Sequence, residues 1–510
     1  MHKGKVWLVG AGPSDAELLT LKAKNLLQNA DVILYDSLVG DAILGMIPPD
    51  VKRINVGKRA GHAVMQQEEI NRTLLEEAQS GKKVVRLKGG DPFLFGRGGE
   101  ELELLAEHRI PFEVVPGVTS AFAVPAYAGI PVTHRDFCSS VHIITGHKKD
   151  GDRPDIDFES LVKLNGTLIF LMGLGALGHI CESLIKAGMH PDKLAAVLEK
   201  GTTAGQRRVV STLERLPDEA KRQGIKTPAI ILVGQVCSLS DKLHWAEDRP
   251  LGGARVIVTR PKKLASKLSD RLRDLGAEVI EIPAIDTVEI PDNARLTDAI
   301  AKIRGYDWLV FTSQAGVEVF FNKLAERKTD IRALCGIKIA AIGSATEKAL
   351  FERGLLADCV PELYDSIHLG KALAQNVKAG ERLFIPRAKI GTPALTEILD
   401  EQGIVYDDIP VYDTVYEANE LLKLDTLLED NVETYVAFTS ASTVRGFVGM
   451  AGAADYTRTK AVCIGEQTAA EAKKHGMQPA ISSEITIDSL AAKIVQLHEA
   501  AKTQRGQTHG

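Results

Sequence analysis

The chain has 510 residues, 45% hydrophobic and 25% charged, the balance of a globular protein with about three folding units. Its 62 basic and 67 acidic residues leave a net charge of −5, so no global basic field draws it to nucleic acid. No apolar run reaches the ~18 residues that span a bilayer. The longest, residues 121–132, contains Pro125 and Gly129. Cys138, Cys181, Cys237, Cys335, Cys359 and Cys463 are scattered, which suits a reducing compartment and offers neither disulfide framework nor zinc spacing. The start, Met1-His2-Lys3-Gly4-Lys5 and a brief apolar run, lacks a signal-peptide pattern, so a cytoplasmic location is expected.

Residues 6–9 read as a strand, followed by a glycine turn. Residues 15–28 place Leu18, Leu19, Ala23, Leu26 and Leu27 at helical spacing. Residues 32–35 read as a second strand, 66–79 as a polar helix closed by Gly81, and 84–87 as a third strand running into Lys88-Gly89-Gly90-Asp91-Pro92. Segments 167–172, 195–198 and 229–233 continue the series. Such alternation predicts an α/β fold with at least one largely parallel sheet. The pattern lapses over 238–253, a charged stretch with Pro250 and Gly252-Gly253, which reads as a linker or domain boundary. A new series starts at 255–259, and 501–510 read as a frayed tail.

The C-terminal half repeats itself. Phe311-Thr312-Ser313 recurs 127 residues later as Phe438-Thr439-Ser440. Ile282-Pro283-Ala284-Ile285-Asp286-Thr287 recurs at the same interval as Ile409-Pro410-Val411-Tyr412-Asp413-Thr414, and Arg260 pairs with Arg387. Ile342-Gly343-Ser344-Ala345-Thr346 returns 122 residues on as Ile464-Gly465-Glu466-Gln467-Thr468. Two copies of so long a unit predict two similar α/β lobes rather than a solenoid.

Three glycine loops carry candidate chemistry. Gly10-Ala11-Gly12-Pro13-Ser14-Asp15 follows a strand, but Asp15 replaces the third glycine of a dinucleotide fingerprint and would repel a pyrophosphate. It is either a tight turn with an acidic helix start or a backbone loop approaching a ligand that has no phosphate. Gly89-Gly90-Asp91-Pro92, with Gly96, Gly98 and Gly99 close behind, lets main-chain groups approach a ligand, with Asp91 available to ribose hydroxyls or an amine. Gly173-Leu174-Gly175-Ala176-Leu177-Gly178, with Glu199 21 residues beyond, fits a nicotinamide fingerprint and stands as a rival oxidoreductase reading.

In order and spacing, Val9 to Pro13, Tyr35-Asp36, Val56 to Arg59, Val85 to Glu101, Pro116 to Arg135, Thr145-Gly146-His147 and Met172-Gly173-Leu174 make residues 3 to about 240 resemble uroporphyrinogen-III C-methyltransferase, of the tetrapyrrole methylase family. Residues 254 to about 495 resemble uroporphyrinogen-III synthase through the repeat and Val411-Tyr412-Asp413-Thr414. The resemblance implies an α/β chain: a two-subdomain methylase fold over 1–245, a linker at 246–253, and a two-lobed synthase with an internal pseudo-repeat over 254–500. Lobe one would comprise about 254–287 plus 415–500, and lobe two about 288–414.

The methylase resemblance implies S-adenosyl-L-methionine as co-substrate, S-adenosyl-L-homocysteine as product, and two methyl transfers to uroporphyrinogen III that give precorrin-2 on the sirohaem and cobalamin branch. It places Pro13, Gly89, Gly90, Asp91, Leu94, Thr119, Ser120, Met172 and Gly201 around the donor, with Asp36 as proton acceptor and Lys58 as proton donor. Ser14 stands where glycine is usual and Leu94 where isoleucine is common. Arg53, Lys58, Arg59, Arg135, Arg207 and Arg208 are candidates for the substrate's carboxylates. The synthase resemblance implies closure of hydroxymethylbilane with loss of water. Tyr412 would assist the leaving hydroxyl, and Arg260, Thr346, Arg387 and Thr468 would bind substrate. A tyrosine in a strand is also an ordinary core residue, and both threonines fit helix caps. No metal and no nucleic-acid or membrane partner is expected, and a homodimer through the methyltransferase domain is implied. The alternative is a methylase of another acceptor, RNA or a protein histidine, with a non-catalytic two-lobed binding domain.

Overall fold

The computed structural model describes residues 4–48, 50–59, 62–63, 65–146, 156–259, 262–282, 286–415, 432–451 and 456–508. Among these residues the strands form four five-stranded sheets and one two-stranded ribbon. Two compact units result, one from 1–283 with 418–510 and the other from 284–417.

The first sheet runs Lys52–Asn55, Val32–Tyr35, Lys83–Lys88, Lys5–Gly10, Phe112–Val115, with every pair parallel. Its central strands are largely apolar because both faces are covered. Val9, Leu27, Ile33 and Val85 pack on one side, and Leu8, Leu34, Leu74 and Leu105 on the other. Parallel strands end at one edge, so the turns after Gly10, Tyr35, Lys88 and Val115 emerge side by side, where open α/β sheets bind ligands.

The second sheet is mixed: Arg207–Thr212, Leu194–Glu199, Ala229–Val233, Thr167–Leu171, Val141–Thr145, with only the last pair parallel. Helix Ser120–Tyr127 enters it directly from the last strand of the first sheet, and its Ala121 and Val124 join the core on one face.

The third sheet, all parallel, is Glu278–Glu281, Ala254–Val258, Glu433–Phe438, Lys460–Cys463, Ala480–Ile481. The fourth lies wholly within 284–417: Asp286–Glu289, Val405–Val415, Arg382–Ala388, Trp308–Phe311, Lys338–Ala341, antiparallel only at its first pair. The repeated motifs occupy matching strand-to-helix turns. Ser313 Oγ accepts from the Gly316 amide at 3.0 Å after Trp308–Phe311, and Ser440 Oγ accepts from the Thr443 amide at 3.3 Å after Glu433–Phe438. Gly343 and Gly465 cap helices Ser344–Phe351 and Glu466–Lys474 with extended backbone.

Three segments differ from the sequence expectation. The helix expected over 15–28 is a 3-10 turn, Ala16–Leu18, then helix Leu21–Asn29. Asp15 and Thr20 each accept from a backbone amide two or three residues on, so two caps sit within one apolar period and the second restarts the helix. The stretch 246–253, expected as a linker or boundary, is folded. It continues helix Trp245–Asp248, whose Trp245 Nε1 donates to the Ala126 carbonyl at 2.9 Å, and Leu251 is fully buried in the third sheet's core. The tail is helical to Thr508, because helix Ile487–Thr508 continues through alanine, lysine and glutamine, all strong helix formers.

Candidate active site

Three turns at the edge of the first sheet are locked together by their backbones. The Ala11 amide donates to the Lys88 carbonyl at 2.7 Å, and Gly12 and Gly90 exchange bonds at 3.2 and 2.7 Å. A Cβ on Gly10 would lie 2.5 Å from Gly117 Cα, and one on Gly117 would lie 2.2 Å from the Gly90 carbonyl oxygen, so no side chain fits at either. Asp91 pins the assembly. Its Oδ1 accepts from the Phe93 and Leu94 amides at 2.8 and 3.2 Å, and its Oδ2 from Gly117 at 3.1 Å. The carboxylate expected to meet ribose hydroxyls is thus bonded to three amides of its own chain. Gly90, at φ +67°, faces a gap: a Cβ there would meet only the Ser120 amide nitrogen, at 4.0 Å.

The second subdomain closes on these turns. Thr119 caps helix Ser120–Tyr127 through its Oγ1, which accepts from Ala121 at 3.2 Å. A Cβ on Gly201 would come within 2.3 Å of Val124, so its loop lies directly on that helix. Thr202 Oγ1 donates to the Pro13 carbonyl at 2.6 Å. Leu94 packs on the second sheet's core. Met172, at φ +56°, leaves strand Thr167–Leu171 with its side chain exposed. Tyr127 donates to Asp15 Oδ2 at 2.6 Å, and burial together with that carboxylate pushes its phenol well above the ordinary value. Asp15 therefore ties the first turn to helix Ser120–Tyr127.

Asp36 follows strand Val32–Tyr35. Its carboxylate accepts from the Gly89 amide at 3.3 Å and from Leu38 at 3.1 Å, so it sits on the lip of the Gly89 turn. Behind it lies a charged cluster that the sequence reading missed. Fully buried Glu101 accepts on one oxygen from Arg86 Nε at 3.1 Å and Lys88 Nζ at 2.8 Å, while Arg86 reaches Asp36 at 4.0 Å. Burial and the neighbouring Arg86 hold the Lys88 ammonium below its ordinary value against the pull of Glu101. The available signal was Arg86 and Lys88 two apart, on one face of an otherwise apolar strand. Lys58 pairs in the ribbon Lys58–Arg59 with His62–Ala63, and its side chain, like that of Arg59, lies outside the described residues. Of the other proposed cations, Arg53 is bonded to the Ile47 and Pro48 carbonyls, Arg207 to Glu199, and Arg208 to Asp241 and Glu247; Arg135 is exposed.

The nicotinamide reading lacks its geometry. Residues 174–176 form a 3-10 turn between strand and helix rather than the direct strand-to-helix turn that grips a pyrophosphate. Glu199, the would-be ribose acid, is buried and bonded to Arg207 and the Lys226 amide.

In the unit 284–417, Tyr412 is buried in strand Val405–Val415 with its hydroxyl 2.9 Å from Ser313 Oγ, at the first of the repeated turns. Burial raises its phenol above the ordinary value, against the Ser313 hydrogen bond, which lowers it. Thr346 is buried in the first turn of Ser344–Phe351, which Gly343 caps. Arg387 is committed internally: Nε donates to Asp408 at 2.8 Å and Nη1 to the Thr392 carbonyl at 3.0 Å. In the other unit Thr468 is buried in helix Glu466–Lys474, capped by Gly465. Neither threonine is a cap. Arg260 lies outside the described residues. Among the described residues no group of three His, Cys, Asp or Glu side chains is placed to hold a metal, and no helix is long and apolar enough to cross a membrane.

Residues 5–217 match the tetrapyrrole (corrin/porphyrin) methylases, and 266–492 match uroporphyrinogen-III synthase HemD. The porphyrin biosynthesis protein HemD of Ruminiclostridium josui is 46% identical over 98% of this chain and 99% of its own length. The S-adenosyl-L-methionine-dependent uroporphyrinogen III methyltransferase of Methanosarcina barkeri is 54% identical over 47% of this chain and 94% of its own length. A uroporphyrin-III C-methyl transferase from Thermus thermophilus, solved with S-adenyl homocysteine, is 41% identical over 46% of this chain and 99% of that one, with a TM-score of 0.40. Similar along nearly its whole length to one relative, and in each half to one enzyme family, the chain belongs to the porphyrin-biosynthesis proteins that join a tetrapyrrole methylase to a uroporphyrinogen-III synthase.

Proposed function

We propose that the protein makes precorrin-2 from hydroxymethylbilane: the C-terminal half closes the ring to uroporphyrinogen III, and the N-terminal half methylates it twice with S-adenosyl-L-methionine. The observation that carries the reading is the convergence of the Gly10–Pro13, Gly89–Asp91 and Gly117–Ser120 turns, with Asp36 at their lip. A Cβ on Gly90 would meet only the Ser120 amide nitrogen, so the turn leaves room beside it for a ligand. The donor supplies an electrophilic methyl group. The chain's part is to hold donor and ring carbon in line at contact distance, and locked turns do this without loss of loop entropy at the moment of reaction. A methylated ring carbon must then lose a nearby proton, and Asp36, oriented by two amides, is placed to accept it.

In the synthase half, the Tyr412–Ser313 pair offers a buried hydroxyl whose proton stays on at neutral pH, suited to assisting hydroxide departure. The internal commitment of Arg387 gives it a structural role beside strand Val405–Val415 and removes it from the set of substrate ligands we propose. Tetrapyrrole partners, a homodimer through the methylase half and a cytoplasmic setting complete the reading. Incubating the purified chain with hydroxymethylbilane and S-adenosyl-L-methionine tests both halves at once. Precorrin-2 without added synthase is the expected product; unmethylated type I ring alone would refute both assignments.

A further inference from the structure

The loop 200–206 joins two walls of the donor pocket, and it is strained. Lys200 and Thr202 adopt φ +46° and +66°, a conformation that a β-branched residue rarely takes. Such a loop persists only where its surroundings over-determine it. Within the methylase half, Thr202 Oγ1 donates to Pro13, the Thr202 amide donates to Gln206 Oε1 at 2.8 Å, and Gln206 Nε2 donates to the Tyr127 carbonyl at 3.2 Å; Tyr127 in turn holds Asp15. A further bond comes from the other half of the chain: the Ala204 amide donates to Glu278 Oε2 at 3.2 Å. That acceptor is itself fixed. Arg255 Nε donates to the same oxygen at 3.1 Å from the paired position on the adjacent parallel strand, and Arg255 is buried. Thr202, Ala204, Gln206, Tyr127, Asp15 and Glu278 all line one cavity of about 220 Å³, whose lining includes neither Gly90 nor Gly201, so on that side of the loop these polar bonds add to the packing of Gly201 on Val124.

We propose that Glu278, a residue of the synthase half, is a positioning residue for methyl transfer: by holding the Ala204 amide it fixes the loop that carries Gly201 and anchors Pro13, and so sets the affinity for the methyl donor. The proposal rests on the reading of the gap beside Gly90 as the donor site. It predicts an effect on donor binding with little on the chemical step, because Glu278 touches no reacting atom.

The test uses the full chain. Arg255→Thr with Glu278→Val removes both charges of the cross-strand pair, so no buried cation is left alone. Calorimetry with S-adenosyl-L-homocysteine and methylation kinetics are expected to show Kd and donor KM raised at least five-fold and kcat within two-fold. Cyclisation of hydroxymethylbilane within two-fold reports that the synthase half is folded. Unchanged Kd and KM in a variant that still cyclises overturns the proposal. Should the double variant fail to fold, hydrogen exchange on the unaltered chain decides. The Ala204 amide is expected to exchange at least a hundred-fold slower than a free peptide, and exchange at the free rate overturns the proposal. An unaltered chain that takes up no S-adenosyl-L-homocysteine overturns the pocket assignment, and the proposal with it.

Discussion

Ser14 sits at φ +104°, where glycine is the unstrained residue. Relieving strain of ~1–3 kcal/mol, less the ~0.5–1 kcal/mol of extra chain entropy glycine loses on folding, leaves a net gain. Ser14→Gly is expected to raise stability by about 1 kcal/mol in a urea titration; a fall would mean that the serine side chain makes a compensating bond. The carboxylate of Asp36 holds the Gly89 turn, so one substitution would confuse that task with the proton-accepting role we propose. Asp36→Asn keeps an acceptor for the Gly89 amide, so donor Kd is expected to stay within two-fold while kcat falls at least a hundred-fold. Asp36→Ala is expected to weaken donor binding too. Equal donor loss in both variants would assign Asp36 to the turn alone. Tyr412→Phe removes the Ser313 bond and the buried hydroxyl with little change of volume. It is expected to slow cyclisation at least ten-fold and shift product to the type I isomer; an unchanged rate and isomer ratio would dismiss Tyr412 from the reaction.

Strand Lys83–Lys88 shows what an element contributes beyond its individual residues. Val84, Val85 and Leu87 fill the core, while Arg86 and Lys88 carry charge into it, and helix Gly98–Glu107 returns Glu101 to meet them. The helix thereby fixes the strand end that bears the Gly89–Asp91 turn. Removing one member of a buried ionic group leaves uncompensated charge and costs about 3–5 kcal/mol. Glu101→Leu is expected to lose about that much by chemical denaturation and to loosen the Gly89 turn; a loss under 1 kcal/mol would mean that water reaches the cations. The apolar period of this strand was legible because its burial follows from hydrophobic patterning. Its charged partner was not, because Glu101 is set by tertiary contact thirteen residues away and has no local signature. The same logic explains the helix expected over 15–28. Periodicity reports which face is apolar, but Asp15 and Thr20 decide where backbone amides find their acceptors. Segment 246–253 misled for the opposite reason: its charges describe the solvated face, while Trp245 and Leu251 anchor it.

At the scale of the whole molecule, the repeat in the sequence becomes two five-stranded sheets built in different ways. The sheet of 284–417 closes on itself. Its core residues, from Leu296 through Phe320 and Phe384 to Tyr412, all come from within that stretch, and Asp286 pairs with Val415, so the two ends of the segment lie side by side. Adjacent ends let such a segment sit within another fold without distorting it. The third sheet instead pairs Ala254–Val258 with Glu433–Phe438, so its core needs residues from both sides of the insertion. The motif spacing revealed the duplication, but nothing local to either copy says which one is interrupted; that follows only from strand pairing across some 180 residues. Contacts so distant carry a loop-closure cost that the inserted unit would reduce by folding first. The isolated segment 284–417 is therefore expected to fold alone, with a single cooperative urea transition and native far-ultraviolet dichroism. A chain ending at 417 should lose the third sheet, because Ala254–Val258 is deprived of its central neighbour. A non-cooperative transition in the isolated segment would show that its core is completed by the rest of the chain, and would reverse the proposed order of assembly.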